Sequence, residues 1–155
     1  GSPTTWVYAR EKSAEAAVAA LSAGRTSVSA NPLAPRVEFT ADLNGDGTAD
    51  AMMGDNVQAT GSAVDFRVQL TGGLANAPYT VVVTKDGGEF GSFTTSGALP
   101  TASFSDTPDA AARSYYRVVV QGPPTAYPQV PASSALSGNM VGLSSAITFN
   151  FDPAF

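Results

Sequence analysis

Apolar residues recur at every second position through most of this chain. Val37 and Phe39 alternate with Glu38 and Thr40, and Val64, Phe66, Val68 and Leu70 alternate with Asp65, Arg67 and Gln69. That period predicts strands with one buried and one solvated face. Tyr79 to Thr84 is more continuously apolar, and Lys85-Asp86-Gly87-Gly88 reads as a tight hairpin turn returning through Glu89 to Thr95. Arg113 to Val120 and Ala146 to Phe151 predict two further strands, whereas Gly122 to Pro131 is proline-rich and predicts a surface loop. Turn signals at this spacing predict a mainly β chain: an immunoglobulin-like antiparallel β-sandwich of roughly seven to nine strands.

The first thirty residues have a different period. Trp6 and Tyr8 alternate with Thr5 and Val7, and Ser13 then offers an N-cap oxygen with Glu15 in the first turn. Ala14, Ala17, Val18 and Leu21 fall at i, i+3, i+4 and i+7, one apolar helix face, and Gly24 predicts a left-handed C-terminal cap. A short strand from Arg25 to Ala30 follows, and Asn31-Pro32-Leu33-Ala34-Pro35 closes the unit. The chain thus divides into a strand-helix-strand over 3–35 and a sandwich over 36–155. Arg25, beside the helix end, is either a dipole partner or a phosphate ligand.

Composition removes whole classes of chemistry. The 155 residues include no His and no Cys, so a histidine base, a Ser-His-Asp triad, a thiol nucleophile, a disulfide and the usual zinc site are all excluded. Eight Lys and Arg stand singly against thirteen Asp and Glu, a net charge of -5, which disfavours a nucleic-acid partner. No run approaches the roughly 20 apolar residues of a membrane-spanning helix. Neither catalytic nor organic-cofactor residues are expected in this chain.

One constellation carries chemistry. Asp42-Leu43-Asn44-Gly45-Asp46-Gly47-Thr48-Ala49-Asp50 has the spacing D-x-N-x-D-G-x-x-D. A coiled loop of that spacing can turn the side-chain oxygens of Asp42, Asn44, Asp46 and Asp50 inward, with the Thr48 carbonyl as a fifth ligand. Hard oxygens in a flexible loop suit Ca²⁺ better than Mg²⁺. Met53 stands where an EF-hand places its bidentate Glu, and the flanks predict strands, so the pattern is similar instead to the calcium loops between β-strands of integrin-type propeller repeats. A bare turn remains the other reading, because Asn-Gly and Asp-Gly are hairpin formers. Trp6, Tyr8, Tyr79, Tyr115, Tyr116 and Tyr127 could stack on sugars only where exposed, which alternation allows for one of Tyr115 and Tyr116 and for Tyr127.

The run Pro3-Thr4-Thr5-Trp6-Val7-Tyr8-Ala9, with Ser13-Ala14-Glu15 through Ala19-Ala20-Leu21-Ser22-Ala23-Gly24-Arg25-Thr26-Ser27-Val28-Ser29, resembles the end of the catalytic domain in PHP-superfamily (polymerase and histidinol phosphatase) metallohydrolases, particularly the CehA/McbA-like group. Met140 to Ile147 also resembles the final strand of the β-rich region that follows there. The resemblance implies a parent enzyme that hydrolyses phosphoesters or related esters with metal-bound His, Asp and Glu. None of that cluster lies in this chain, so the expectation is a non-catalytic C-terminal accessory domain whose partner is the N-terminal catalytic domain of the same parent chain. The helix face of Ala14, Ala17, Val18 and Leu21 would then seal against that domain, or in its absence against its own sandwich or another copy. The alternative is a free-standing Ca²⁺-binding or carbohydrate-binding adhesion module. Millimolar calcium outside cells suits loops of this kind, which favours an extracellular or periplasmic setting.

Overall fold

The computed structural model describes residues 3–95, 97–127 and 139–152. Twelve strands and one helix occur among them. In chain order they are β1 (Thr4–Val7), α1 (Ala14–Ser22), β2 (Thr26–Ser29), β3 (Arg36–Asp42), β4 (Ala51–Met52), β5 (Asn56–Val57), β6 (Val64–Thr71), β7 (Tyr79–Lys85), β8 (Gly88–Thr95), β9 (Thr101–Asp106), β10 (Ser114–Gln121), β11 (Met140–Ser144) and β12 (Ile147–Phe149). The count exceeds the seven to nine expected. Ser145 and Ala146 split one strand line into β11 and β12, and the two-residue pairings of β4 and β5 are too short to show a period.

The strands form two sheets, an immunoglobulin-like β-sandwich whose pairings are antiparallel except for β5 with β12. The smaller sheet runs β4-β3-β6-β9. In the larger one β10 is central: β7 and then β8 lie on one side, and β11 and β12 share the other. The apolar rows meet between the sheets. Phe66 of the smaller sheet lies 4.6 Å from Tyr116 and 6.2 Å from Phe149 of the larger, centroid to centroid, and 4.8 Å from Phe104 beside it. Val37, Phe39, Val68, Tyr79, Val81, Val83, Val118 and Val120 complete a fully buried core. The β7–β8 turn is the expected hairpin: Asp86 and Gly87 take φ of 51° and 88°, the double left-handed conformation of a two-residue turn. The expected loop beyond β10 is irregular from Gly122 to Ala126, and 128–131 of it lie outside the described residues.

The strand-helix-strand does not stand apart from the sandwich. β2 pairs with both β1 and β11, so residues 3–35 supply the edge of the larger sheet, and hydrogen bonds cross the expected boundary at 35. Ser13 caps α1 by accepting from the Ala16 N–H at 3.1 Å. At the other end Gly24, with φ of 70°, completes a Schellman motif: its N–H donates to the Leu21 carbonyl at 3.0 Å and that of Arg25 to Ala20 at 2.9 Å. This cap sits on the β4–β5 turn at Gly54, where a Cβ would come within 2.4 Å of the Ala23 carbonyl oxygen. Arg25 binds Asp55 beside it, Nη2 to Oδ1 at 2.9 Å.

The helix does not pack its expected face. Val18 is 61% and Leu21 52% exposed, whereas Ala20 is buried. The cap on Gly54 fixes the rotation, with Ala20 as the buried residue of the helix. The larger apolar side chains are left on the outer side, so of the expected partners for this face its own sandwich is not the one that covers Val18 and Leu21.

Candidate functional site

All five expected metal ligands lie where β3 ends and the connection to β4 begins. The segment 42–50 is a tight coil held by its own side chains. Asp42 Oδ1 accepts from the N–H groups of Asn44 at 3.2 Å and Gly45 at 2.7 Å, and Oδ2 accepts from Gly47 at 2.7 Å. Asn44 Oδ1 then takes the N–H of Asp46 at 2.9 Å, and Asp46 Oδ1 that of Thr48 at 2.8 Å. Asp50 closes the coil by accepting from the Leu43 N–H at 2.9 Å while its own N–H donates to the Ala41 carbonyl at 2.9 Å. Gly45 and Gly47 supply the left-handed φ of 74° and 86° that the reversal requires. Partial desolvation raises the Asp42 carboxyl's pKa, but the backbone N–H groups, Gly47 first, outweigh it, so the group is held below the ordinary carboxylate range.

This coil satisfies the loop's backbone in a dense arrangement of Asx turns. Its carboxylates do not converge. Among the described residues, no three of His, Cys, Asp and Glu are grouped so as to hold a metal ion. Asp42, Asn44, Asp46, Thr48 and Asp50 are thus brought onto one loop, with their side-chain oxygens engaged by its backbone N–H groups.

A carboxylate that spacing alone could not reveal faces the loop's first residue. Asp65 on β6 is directly opposite Asp42 on β3, a like-charge cross-strand pair on the outer face of the smaller sheet. Ser105 on β9 donates its hydroxyl to Asp65 Oδ1. Around them lies an open depression of about 510 Å³ with Glu38, Thr40, Arg67, Gln69 and Ser103 in its lining. Its floor is the polar face of three strands. Phe66 and Phe104 also line it, but both are buried in the core, so neither ring is free to stack on a sugar. Tyr79 and Tyr116 are core residues; Tyr8 donates to the Val37 carbonyl at 2.7 Å, and Trp6 Nε1 donates to Ser29 Oγ at 2.9 Å. Tyr115, the outward member of its pair, is half-buried.

No family model matches this chain, and no curated protein matches it. Among solved structures it is similar to the CARDB domain of a Pyrococcus furiosus protein, crystallised in complex with di-metal ions, at 14% identity and a TM-score of 0.41, covering 76% of this chain and 94% of that one. The sandwich assignment stands on the strand pairings above.

A second polar cluster ties the sheets together. Lys85 Nζ on β7 and the Tyr116 hydroxyl on β10 both meet Asp106 Oδ2 on β9, at 2.6 Å and 2.7 Å. The Lys85 ammonium also lies 5.3 Å from the centroid of the Tyr116 ring. Burial and then the Asp106 carboxylate push the Tyr116 hydroxyl up to about 12. Desolvation works to raise the Asp106 carboxyl, but Lys85 and Tyr116 together lower it; Lys85 is raised, chiefly by Asp106. These shifts keep the amine and the acid charged at neutral pH, which suits an ion pair and not a nucleophile or a general base. No helix among the described residues is long and apolar enough to cross a membrane.

Proposed function

We propose that this chain is a non-catalytic accessory β-sandwich of a PHP-type metal-dependent hydrolase or phosphoesterase, and that its β3–β4 loop takes up structural Ca²⁺. The observation that carries the ion is the coil of 42–50, in which both oxygens of Asp42 and one each of Asn44 and Asp46 accept backbone N–H groups. That pre-forms the curvature a calcium loop requires, and an ion would exchange some of these N–H partners for itself. Asp65, opposite Asp42, adds negative charge that an ion would neutralise. The parent enzyme rests on the resemblance of residues 3–35, with the exposed Val18 and Leu21 as the surface to seat against a catalytic domain of the same chain. An extracellular or periplasmic setting would supply calcium at the concentration such a loop requires.

The test is a thermal melt after chelation, repeated across a Ca²⁺ titration with Mg²⁺ as control. A native state that binds the ion is stabilised by about 2.7 kcal/mol when free calcium is a hundred times the dissociation constant. The expected result is a calcium-selective rise in Tm that Asp46→Ala abolishes. An equal response of the variant, or none in either, would reject the loop as a site. The polar depression beside the loop favours a second reading, a free-standing Ca²⁺-dependent adhesion module. Calcium-dependent retention on a glycan or protein surface by this chain alone would select it.

A further inference from the structure

The coil of 42–50 brings together the reactants of a second chemistry. Asn44 is followed by Gly45, and both are exposed. A peptide nitrogen that follows an asparagine can attack the side-chain amide carbon and close a succinimide ring, and glycine leaves that approach free of any side chain. Each of the other asparagines is followed by a residue that bears a side chain. Asn31 precedes Pro32, whose nitrogen carries no proton. Asn56 precedes the β-branched Val57 within β5, and its Nδ2 donates to the Phe151 carbonyl at 2.8 Å. Asn150 Nδ2 is shared between the carbonyls of Asp109 and Ala112, at 2.9 Å and 2.8 Å.

The closed coil holds these reactants apart. Attack requires the Gly45 nitrogen to give up its proton and turn toward the Asn44 amide carbon. That proton is held on Asp42 Oδ1 at 2.7 Å, and the adjacent negative charge opposes formation of an amide anion. Asn44 Oδ1 is held in turn by the Asp46 N–H at 2.9 Å, so the side-chain amide is not free to rotate onto the nitrogen. Both bonds are exposed to solvent, which makes local opening of the coil far easier than unfolding of the sandwich.

We infer that Asn44 is a site of spontaneous deamidation, and that Asp42 is the latch that sets its rate. When the coil opens, the Gly45 nitrogen loses its proton to solvent and bonds to Asn44 Cγ. The side-chain nitrogen takes up a proton and leaves as ammonia. Water then opens the succinimide at one carbonyl or the other, leaving aspartate or isoaspartate at position 44. Either product adds a negative charge to a loop that already holds Asp42, Asp46 and Asp50. Isoaspartate also inserts a carbon into the main chain, which breaks the spacing of the Asx turns. The reaction belongs to the ion-free loop, so this inference stands whether or not the loop binds calcium.

The test is a time course of the chelated chain at mildly alkaline pH, followed by trypsin digestion and mass spectrometry. The tryptic peptide 37–67 carries both Asn44 and Asn56, so Asn56 is an internal standard. The expected result is conversion of amide to acid at Asn44 and not at Asn56, with part of the product detected as isoaspartate, and none at position 44 in Asn44→Gln. The native chain should react about tenfold more slowly than the same chain unfolded in urea, the factor that two exposed hydrogen bonds supply. Asp42→Ala, with its core checked by a thermal melt, should recover most of that factor; the urea comparison uses the wild-type chain alone. Conversion of Asn56 as fast as Asn44, or none at Asn44 over a period in which the unfolded chain converts completely, overturns the site. A native rate equal to the unfolded one overturns the latch. So does an Asp42→Ala variant that reacts more slowly than wild type, which would make Asp42 the base that takes the proton.

Discussion

Replacing Gly54 by Ala would test whether the strand-helix-strand is seated on the sandwich. The added Cβ would lie 2.4 Å from the Ala23 carbonyl oxygen, 2.5 Å from the Gly24 carbonyl carbon and 2.7 Å from the Arg25 nitrogen. All three are backbone atoms of the Schellman cap, so no side chain can rotate away. Residue 54 also has φ of 93°, where a side chain adds strain of about 1–3 kcal/mol. The collision adds about 1–3 kcal/mol of overpacking, and loosening the half-exposed Arg25–Asp55 pair adds up to about 1 kcal/mol. At about 2–4 °C per kcal/mol for a chain of this size, the melt should fall by at least ~4 °C. Gly97→Ala is the matched control: its φ is 100°, but nothing lies within 4 Å of the added Cβ, so it bears the strain alone. Melting curves of the two variants, with hydrogen exchange at β1 and β2, separate the effects. Gly54→Ala should melt lower and lose protection first in β1 and β2. Equal melting of the two, with protection in β1 and β2 intact, would refute the docking of the helix cap.

Three further outcomes follow from the core and its polar tie. Phe66→Ala, at the meeting point of both sheets, should cost about 3–5 kcal/mol in a denaturant titration. Tyr116→Phe keeps the ring but removes one donor to Asp106 and should cost about 1 kcal/mol, a loss of about 2–4 °C in Tm. The pH dependence has two limbs. Tyr116 is raised above its unfolded value, so its contribution is complete below pH 10 and disappears as pH rises toward about 12; Tyr116→Phe should lack that alkaline limb. Asp106 is lowered, so its contribution is present above the ordinary carboxylate pKa of 3.8 and is lost as pH falls through the folded value; Asp106→Asn should flatten that acid limb.

Much of the architecture was legible because its period is local. β3, β6, β7 and β10 each bury alternate residues, and the Ser13 and Gly24 caps stand where side-chain chemistry requires them. β9 escaped notice because only Ala102 and Phe104 mark its inner face, between a proline and a run of Ser and Thr. The helix orientation was illegible for another reason: size and hydrophobicity favour Val18 and Leu21, but the close approach to Gly54 is set by a glycine thirty residues away in sequence. The pairing of β2 with β11 joins residues more than a hundred positions apart, which no local period reports. The loop from Asp42 to Asp50 was visible from spacing alone, whereas Asp65 enters only through strand register.

The most direct measurement on the central claim is a crystal structure grown with Ca²⁺, with anomalous scattering used to place the ion. Binding predicts one peak ringed by oxygens of Asp42, Asn44, Asp46, Asp50 and the Thr48 carbonyl at about 2.3–2.6 Å. A loop unchanged from the coil described above, with no peak at millimolar calcium, would contradict it.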